Sequence, residues 1–161
     1  MRRKNREVMD MEAIGNIVSR CKTCHLAMVD EGTPYVVPLS FGYDMENGAL
    51  TLYFHSAKAG RKLDVLRRNP LVCFELCREG EPVFAKETPC NSGYYYESVI
   101  GTGLVTFVED GKEKCGALAR IMAQQAGMDV AFTEEQAGTV CVFRLTATEV
   151  TGKRKPRPAE R

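Results

Sequence analysis

Residues 53–62 read Tyr-Phe-His-Ser-Ala-Lys-Ala-Gly-Arg-Lys and join a strand to a helix. The strand pattern ends at the hydroxyl residue Ser56, and a helical pattern begins near this residue. The first turns of the helix carry three cationic side chains, on Lys58, Arg61 and Lys62. Because a helix N-terminus exposes unpaired N–H groups and the positive end of the helix dipole, cations at this point favour an anion site.

Spacing alone leaves two interpretations of this stretch open. In the first, the guanidinium of Arg61 would grip phosphate oxygens in a bidentate manner, while Lys62 adds a point charge. In the second, Ser56 is only an N-cap and the basic residues only form a solvated helix face. The sequence on either side of the stretch is needed to choose between them.

The flanking sequence is rich in strand patterns. Short β-prone runs, separated by tight turns, cover residues 26–29, 35–43, 49–54, 71–76, 99–108 and 139–150. Helical patterns cover residues 10–21, 56–69 and 112–126. Closely spaced strands joined by tight turns favour an antiparallel arrangement over parallel βαβ units. We therefore expect a mainly β fold, a small antiparallel barrel with about three helices packed outside it.

Composition and charge limit the classes of protein to which this chain can belong. The chain has 161 residues, of which 44% are hydrophobic and 27% are charged, and its formal net charge is +1. These are the values of one ordinary globular domain, so we expect residues 1–161 to form a single domain and exclude disorder of the whole chain. A near-neutral chain has no general electrostatic attraction to nucleic acid or to an anionic membrane, and we expect neither as a partner.

The sequence favours a cytoplasmic location. No apolar run approaches the roughly 18 residues that a transmembrane helix needs, and no apolar region of a secretory signal follows the charged opening residues. Seven cysteines are an odd number, which in a reducing compartment indicates free thiols rather than a disulfide framework. Basic residues cluster at both ends, in residues 1–8 and 152–161, which we expect to be solvated and partly flexible.

Cys21-x-x-Cys24-His25 has the spacing of a metal or redox motif. A closed zinc site would need further ligands, and the obvious candidates are Cys73 and Cys77. If these two cysteines lie on one strand, four residues at about 3.3 Å each separate them by roughly 13 Å, too far to share one metal ion. We therefore predict structural thiols and no metal site.

The segment around Ser56 resembles the phosphate loop of the FMN-binding split barrels, the superfamily that includes pyridoxamine 5′-phosphate oxidase. In that family a Tyr-Thr pair ends a strand, and a Ser-Arg-Lys triplet four residues later binds the flavin phosphate. Here the pair is His55-Ser56 and the triplet is Gly60-Arg61-Lys62, so a glycine replaces one phosphate hydroxyl. The resemblance implies cofactor-binding residues along this loop: His55, Ser56, Ala57, Gly60, Arg61 and Lys62.

Two further segments match the same family, and the matches keep their order from about residue 22 to about residue 108. Residues 34–40 resemble the strand whose backbone lies along the isoalloxazine ring. Residues 98–103 resemble the strand whose first polar residue touches the flavin, which nominates Ser98. From the first of these strands the resemblance nominates Val36, Val37, Pro38, Leu39 and Ser40.

Within the superfamily the likeness is strongest to the nitroimidazole-resistance (Nim) family. It is carried by residues 2–7, 34–43, 54–57, 60–63, 69–70 and 72–75. Nim proteins are FMN-linked homodimers, several of which are implicated in reducing the nitro group of an imidazole drug. The resemblance implies a six-stranded antiparallel split β-barrel of the Greek-key type, FMN as cofactor, and a homodimer with FMN at the subunit interface.

The sequence departs from the true pyridoxamine phosphate oxidases. It lacks their C-terminal Arg-x-His and tryptophan signature, since it contains no tryptophan and its two histidines are His25 and His55. We therefore do not expect pyridoxal phosphate synthesis. We expect instead an FMN-dependent reductase of small electron-poor compounds such as nitroimidazoles.

His55 is the predicted catalytic residue. A reduced flavin supplies a hydride and a nitro substrate must also gain protons, which a histidine with an ordinary pKa of about 6.5 can deliver at neutral pH. The position of His55 at a strand end beside the phosphate loop, together with the Nim resemblance, favours this role. In the alternative, His55 only hydrogen-bonds the cofactor or packs at the dimer interface.

Two other functions stay open. The chain could be a flavin protein without its own turnover, acting as a redox carrier or sensor. It could also be a split-barrel relative that binds haem or a deazaflavin in place of FMN. The sequence has no dinucleotide fingerprint, so it does not predict whether NADH or NADPH would supply electrons.

Overall fold

The computed structural model describes residues 3–155, which form eight strands and four α-helices. The strands are β1 (Glu7–Val8), β2 (Thr23–Asp30), β3 (Thr33–Ser40), β4 (Gly42–Glu46), β5 (Ala49–Ser56), β6 (Leu71–Val83), β7 (Gly93–Val108) and β8 (Cys141–Lys155). The helices are α1 (Met11–Arg20), α2 (Arg61–Arg68), α3 (Gly111–Ala126) and α4 (Glu134–Ala137). The mainly β class predicted from the sequence is therefore confirmed.

All eight strands belong to one antiparallel sheet. Seven follow the order β3-β2-β6-β7-β8-β5-β4, and β1 pairs with β8. In residues 3–155 the two end strands, β3 and β4, are not paired with each other, although β3 approaches β5. The sheet is therefore curved but not closed, as in a split barrel.

The number of strands is eight rather than the predicted six, and two segments account for the difference. The run at residues 35–43 is divided at Phe41, whose side chain is completely buried, so that β3 pairs with β2 while β4 pairs with β5. Residues 7–8, predicted as part of a solvated end, pair with Gly152 and Lys153 of β8. Both differences depend on contacts with strands that lie far away in the sequence.

Three of the four helices lie where the sequence predicts them. α1 begins after Asp10, whose carboxylate caps the helix, and α3 ends at Gly127, which has a left-handed φ of 66°. The predicted start of α2 near Ser56 is wrong, because Ser56 remains paired in β5 and the helix begins only at Arg61. The intervening residues 57–60 form a loop. α4 is a single short turn that the sequence patterns did not predict.

The curved sheet encloses the main hydrophobic core. Its largest side chains are four completely buried phenylalanines: Phe41, Phe54, Phe74 and Phe143. Residues Ile14 and Ile17 of α1 and residues Leu63 and Leu66 of α2 pack into the same core. Complete burial of one such side chain contributes about 1.5–3 kcal/mol. This core therefore holds β5 and α2, the two elements that flank the predicted phosphate loop, in place relative to each other.

Helix α3 covers one half of the outer surface of the sheet. It forms a second, smaller core with β7, β8 and α4, made of Val108, Ala117, Leu118, Ile121, Ala137 and Val142. Gly42 of β4 allows the helix to come close, because a Cβ at this position would collide with the backbone of Arg120 and Ile121. The outer face of β4 and β5 is therefore sealed by a helix.

The other half of the outer surface carries half-exposed apolar side chains. We call it the bare sheet face and define it by the outward side chains of β3, β2, β6 and β7. Its large apolar members are between 48% and 57% exposed: Val29, Val36, Leu71, Ile100 and Leu104.

The basic ends are only partly described. Arg6 and Lys153 lie together at Tyr96, whose hydroxyl accepts a hydrogen bond from Arg6 at 3.4 Å and whose ring lies 5.6 Å from the ammonium of Lys153. Three other basic residues of the two ends, Arg2, Arg157 and Arg161, lie outside the described residues. Between residues 3 and 155, none of the helices has the length and apolar character needed to cross a bilayer.

Candidate functional site

The N-terminus of α2 is open to solvent. Gly60 occupies the N-cap position, and among the described residues no side chain caps the helix. Gly60 has φ 139° and ψ 160°, a conformation that essentially only glycine adopts. The first N–H groups of the helix, on Arg61 and Lys62, precede the first intrahelical hydrogen bond, which runs from the N–H of Leu63 to Gly60 at 2.9 Å. The helix therefore presents free donors at its positive end.

Arg61 is oriented by the β2–β3 hairpin. Its Nε donates a hydrogen bond to Asp30 at 2.8 Å, and its guanidinium lies 4.3 Å from the centre of the Tyr35 ring. Asp30 also accepts a hydrogen bond from Arg68 at 2.5 Å. The side chain of Arg61 is 60% exposed, so its outer N–H groups face solvent. Asp30 therefore positions Arg61 and leaves donors available for an anion.

The charge around this arginine pair is positive. The hydrogen bond from Arg61 lowers the pKa of Asp30, and the bond from Arg68 adds to this effect against the opposing influence of burial. Asp30 is consequently a carboxylate at neutral pH, opposed by two guanidinium groups. Lys62 adds a further positive charge, so the loop keeps a net charge that attracts a phosphate.

Ser56 and Lys62 both neighbour Cys141 at the start of β8. Ser56 is the register partner of Cys141. Burial raises the pKa of the Cys141 thiol, and the positive charges of Arg67 and Lys62 partly oppose this shift. The Ser56 hydroxyl donates a hydrogen bond to the carbonyl of Ala57 at 2.8 Å. The structure therefore brings Ser56 and Lys62 to the same end of the sheet.

His55 points the other way. Side chains alternate along a strand, so His55 projects from the face of β5 opposite to Phe54 and Ser56. Its imidazole lines a pocket of about 400 Å³ between β5 and α3, which we call the α3 pocket. The rest of the lining is mostly apolar and includes Leu118, Ile121, Met122, Phe132 and Val140. The sequence motif His55-Ser56 is thus divided between two surfaces.

Strand β3 offers an edge for hydrogen bonding. It lies at one end of the sheet, so the backbone groups on the side away from β2 have no partner strand within residues 3–155. The side chains of Val36, Pro38 and Ser40 project onto the bare sheet face and are exposed. Val37 and Leu39 point inwards and pack against the main core. Of the five nominated residues, three therefore contribute side chains to the open surface and two can contribute only backbone.

Ser98 lies on the same bare sheet face but far from β3. It is the register partner of Cys77 on β6 and of Lys153 on β8. Strands β2 and β6 lie between β3 and β7, which is three strand spacings or about 14 Å. Within one chain the structure does not bring Ser98 next to β3.

The cysteines are not grouped for metal binding. Within residues 3–155 no group of three or more His, Cys, Asp or Glu side chains could hold a metal ion. Cys24 points into the core, whereas Cys73 and Cys77 project onto the bare sheet face. Burial raises the pKa of the Cys21 thiol to about 11, and burial likewise raises the pKa of Cys24. All four thiols are free.

Sequence reasoning missed the residues that orient Arg61. The sequence patterns place Asp30 between the strand runs at residues 26–29 and 35–43, and no short motif links it to an arginine 31 positions later. Tyr35 is the first residue of the second of these runs. Both contacts arise because the β2–β3 hairpin packs beside the start of α2, which a single sequence does not reveal.

The donor set fits the phosphate and ring of a flavin. The open helix start supplies N–H groups, and Arg61 and Lys62 supply charge. The glycine at position 60 leaves free space, since a Cβ there would meet no atom within 4 Å. The unpaired edge of β3 can hydrogen-bond a flat polar ring.

Comparison with known proteins agrees with this geometry. The family model described as pyridoxamine 5′-phosphate oxidase matches residues 10–154. A solved structure from Bacteroides thetaiotaomicron, provisionally assigned as a 5-nitroimidazole antibiotic resistance protein, is 32% identical to the chain. The match covers 92% of this chain and 86% of that protein, with a TM-score of 0.78. None of the curated proteins matches the chain.

Two more distant structures share the fold. A flavocytochrome from Azotobacter vinelandii is 20% identical, with 98% of this chain and 73% of that chain covered and a TM-score of 0.79. An FAD and haem binding protein from Mycobacterium smegmatis is 17% identical, with 94% and 74% covered and a TM-score of 0.76. Because the family model spans the chain from residue 10 to residue 154, the protein belongs to the pyridoxamine 5′-phosphate oxidase-like family of flavin-binding split barrels.

Proposed function

We propose that the protein is an FMN-dependent oxidoreductase that reduces small electron-poor compounds such as nitroimidazoles. The observation that carries this proposal is the open N-terminus of α2 with Arg61 and Lys62 beside it. A helix start flanked by cations suits a phosphate group. The relative at 32% identity, provisionally assigned to 5-nitroimidazole resistance, supports a nitro compound as the substrate.

In this proposal the phosphate is held by Arg61, Lys62 and the hydroxyl of Ser56. The free edge of β3, from Val36 to Ser40, would run along the ring and hydrogen-bond it through backbone groups. When bound, the flavin supplies hydride chemistry. The protein's tasks are to orient the substrate, to exclude water and to handle protons.

We propose His55 as a catalytic group on the substrate side. Its imidazole lines the α3 pocket, whose volume of about 400 Å³ is within the range of small-molecule sites. Apolar walls with one ionisable group suit a small heteroaromatic ring. His55 would orient this ring for reaction. Electrons would come from NADH or NADPH, a donor that the sequence does not specify.

We further propose a homodimer that covers the bare sheet face. Five large apolar side chains on this face are about half exposed, an arrangement that association with a second copy would bury. A flavin held at the subunit interface could be contacted by β3 of one subunit and by Ser98 of the other. This would account for the separation of about 14 Å between them in one chain.

An absorption spectrum of the purified protein tests the function. The spectrum is recorded as isolated, after anaerobic reduction with dithionite, and after anaerobic addition of a nitroimidazole. We expect a flavin spectrum that bleaches on reduction and is restored by the nitro compound. Mass spectrometry of the released cofactor should identify FMN.

Each of the three other possible spectroscopic results would contradict a different part of this proposal. A flavin that bleaches but is not reoxidised by the nitro compound would favour a redox carrier or sensor. A haem or deazaflavin spectrum would replace the cofactor assignment. A colourless protein that does not bind added FMN would contradict the phosphate site itself.

A further inference from the structure

The bare sheet face holds a histidine with a carboxylate partner. Nδ1 of His25 lies 2.8 Å from Oε2 of Glu75, its register partner on β6. An ionised carboxylate can only accept a hydrogen bond, so Nδ1 is the donor and Nε2 faces away from Glu75. The two side chains are 49% and 33% exposed. One ring nitrogen is therefore held, and the other is free on an open surface.

His25 lies beside the strand that would carry the flavin ring. Its register partner on β3 is Pro38, the centre of the nominated segment from Val36 to Ser40. Directly opposite residues of an antiparallel pair point to the same face, with Cβ atoms about 4.5–5.5 Å apart. The imidazole of His25 thus projects from the same surface as Val36 and Pro38, one strand in from the edge.

The two histidines of the chain serve different surfaces. His55 lies on β5 and lines the pocket under α3, whereas His25 lies on β2 and faces the open half of the sheet. Only His25 is linked by strand register to β3. A flavin ring held along the unpaired edge of β3 would therefore lie nearer to His25 than to His55.

Few titratable groups face this imidazole. On β6 they are Glu75 itself and the thiols of Cys73 and Cys77, which lie two residues to either side of it. The residue that faces His25 from β3 is Pro38, and the residue beyond Glu75 on β7 is Ile100. Within the described residues of these strands, His25 is thus the basic side chain closest to the unpaired edge of β3.

We propose that His25, oriented by Glu75, is a proton donor on the flavin face, an inference that rests on the proposed flavin function. A nitro group that gains a hydride from the bound flavin and one proton becomes a nitroso group and water. Nε2 of His25 gives that proton to a substrate oxygen, and the neutral imidazole then takes a proton from solvent. Glu75 is a positioning residue, since it holds Nδ1 and keeps its own charge.

Reoxidation kinetics test this proposal on the flavin-loaded protein. The dithionite-reduced protein is mixed anaerobically with a nitroimidazole, and flavin absorbance is followed by stopped flow. We expect His25→Ala to keep its flavin but to reoxidise about 100-fold more slowly, the usual effect of losing a general acid. Added imidazole should restore the rate in proportion to its concentration, which a purely structural role would not allow.

Two carboxylate variants separate positioning from general charge effects. Glu75→Gln should slow reoxidation by a smaller factor than His25→Ala, and imidazole should not restore it, because the histidine is still present. Glu46→Gln, an exposed residue of edge strand β4, is the matched control and should behave as the wild-type protein.

A binding measurement gives a readout independent of turnover. The chain has two histidines, so the C2–H proton signal that remains in the NMR spectrum of His55→Ala belongs to His25. Titration of the wild-type protein with FMN should shift the His25 signal. If His25→Ala does not fold, this titration still tests whether His25 lies beside the bound flavin.

Two results would overturn the proposal while leaving the function in place: a His25 signal that FMN binding does not move, or a His25→Ala variant that reoxidises at the wild-type rate. If instead the wild-type protein binds no flavin, or its flavin is not reoxidised, the proposed function itself fails.

Discussion

At the residue scale, Arg61 is oriented by the fold independently of any ligand. Its Nε is bound by Asp30 and its guanidinium lies over Tyr35, both of which belong to a different part of the chain. An arginine held in place loses less side-chain entropy on binding an anion than a free one does. In the proposed phosphate site, the contacts of Arg61 with Asp30 and Tyr35 would therefore favour binding of the anion.

The first prediction concerns this side chain. Arg61→Ala should weaken FMN binding by about 10- to 100-fold, because a hydrogen bond to a charged group contributes about 1.5–3 kcal/mol. The dissociation constant is measured by quenching of flavin fluorescence. Arg78→Ala, at an exposed arginine of β6, is the control and should bind FMN as the wild-type protein does. Full flavin affinity in Arg61→Ala would contradict the phosphate site.

The second prediction concerns His55. His55→Ala should keep FMN, because the phosphate contacts remain, and should lose about 100-fold in nitroreductase turnover, because substrate orientation is lost. Flavin content and steady-state turnover are measured on the same preparation, with Glu46→Gln as the control. Unchanged turnover would show that His55 is not a catalytic residue.

The third prediction concerns the pH dependence of stability. The hydrogen bond from Arg61 lowers the pKa of Asp30 below its ordinary value of 3.8. A carboxylate with a depressed pKa stabilises the fold above its ordinary value, and this contribution is lost as the pH falls through the lower, folded-state value. Asp30→Asn should therefore have a lower Tm than the wild-type protein at neutral pH, and the difference should shrink below about pH 4. A difference that stays constant in thermal melts down to pH 2 would show that charge pairing is not its cause.

At the element scale, the β5–α2 junction places two neighbouring side chains on opposite faces of the sheet. Alternation along β5 sends Ser56 towards Cys141 and His55 towards α3. The strand and the helix were both predicted from their patterns, but the helix was expected to start near Ser56. Pairing with β8 keeps Ser56 in the strand, and local propensity cannot reveal that pairing.

The fourth prediction tests the start of α2. Gly60→Ala should lower the free energy of unfolding by about 1–3 kcal/mol, because φ 139° with ψ 160° disfavours any residue with a Cβ. Urea unfolding of the flavin-free protein measures this change. Gly15→Ala is the matched control, since Gly15 lies inside α1 and its Cβ would meet Met45 at an ordinary 3.5 Å. That variant should be more stable by about 0.5–1 kcal/mol, the helix preference for alanine over glycine. Equal stability of Gly60→Ala and wild type would show that this glycine is not required.

At the scale of the whole molecule, the outer surface of the sheet has two halves. Helix α3 covers β4 and β5 through a small core, while the face formed by β3, β2, β6 and β7 keeps half-exposed apolar side chains. The residues nominated for the flavin ring and the pair formed by His25 and Glu75 share this second half. A second subunit would complete the burial and enclose the site.

The fifth prediction tests the proposed homodimer. Leu104→Lys places a charge on the bare sheet face, where Leu104 is 48% exposed, so it should leave the monomer folded but prevent dimer formation. Sedimentation velocity should show a shift from dimer to monomer, with unchanged circular dichroism and reduced flavin content. Met128→Lys is the control, because Met128 is 52% exposed but lies after α3, away from this face. A dimeric Leu104→Lys would place the interface elsewhere.

The sequence alone determined those features that depend on neighbouring residues. Hydrophobic alternation located most strands, and the N-cap at Asp10 and the glycine at Gly127 located helix ends. The loop with Arg61 and Lys62, together with its flanking segments, carried the resemblance to the family. Periodicity and capping act over a few positions, so one chain read in order contains them.

Only the tertiary structure decided which distant residues meet. Asp30 contacts Arg61, and His55 lies under α3. His25 pairs with Pro38 on one side and with Glu75 on the other. The sheet has eight strands and stays open, where six strands were expected. These outcomes depend on strand register and on which surfaces a helix covers. A shift of register by one residue moves every side chain of a strand to the other face, and nothing local in the sequence excludes such a shift.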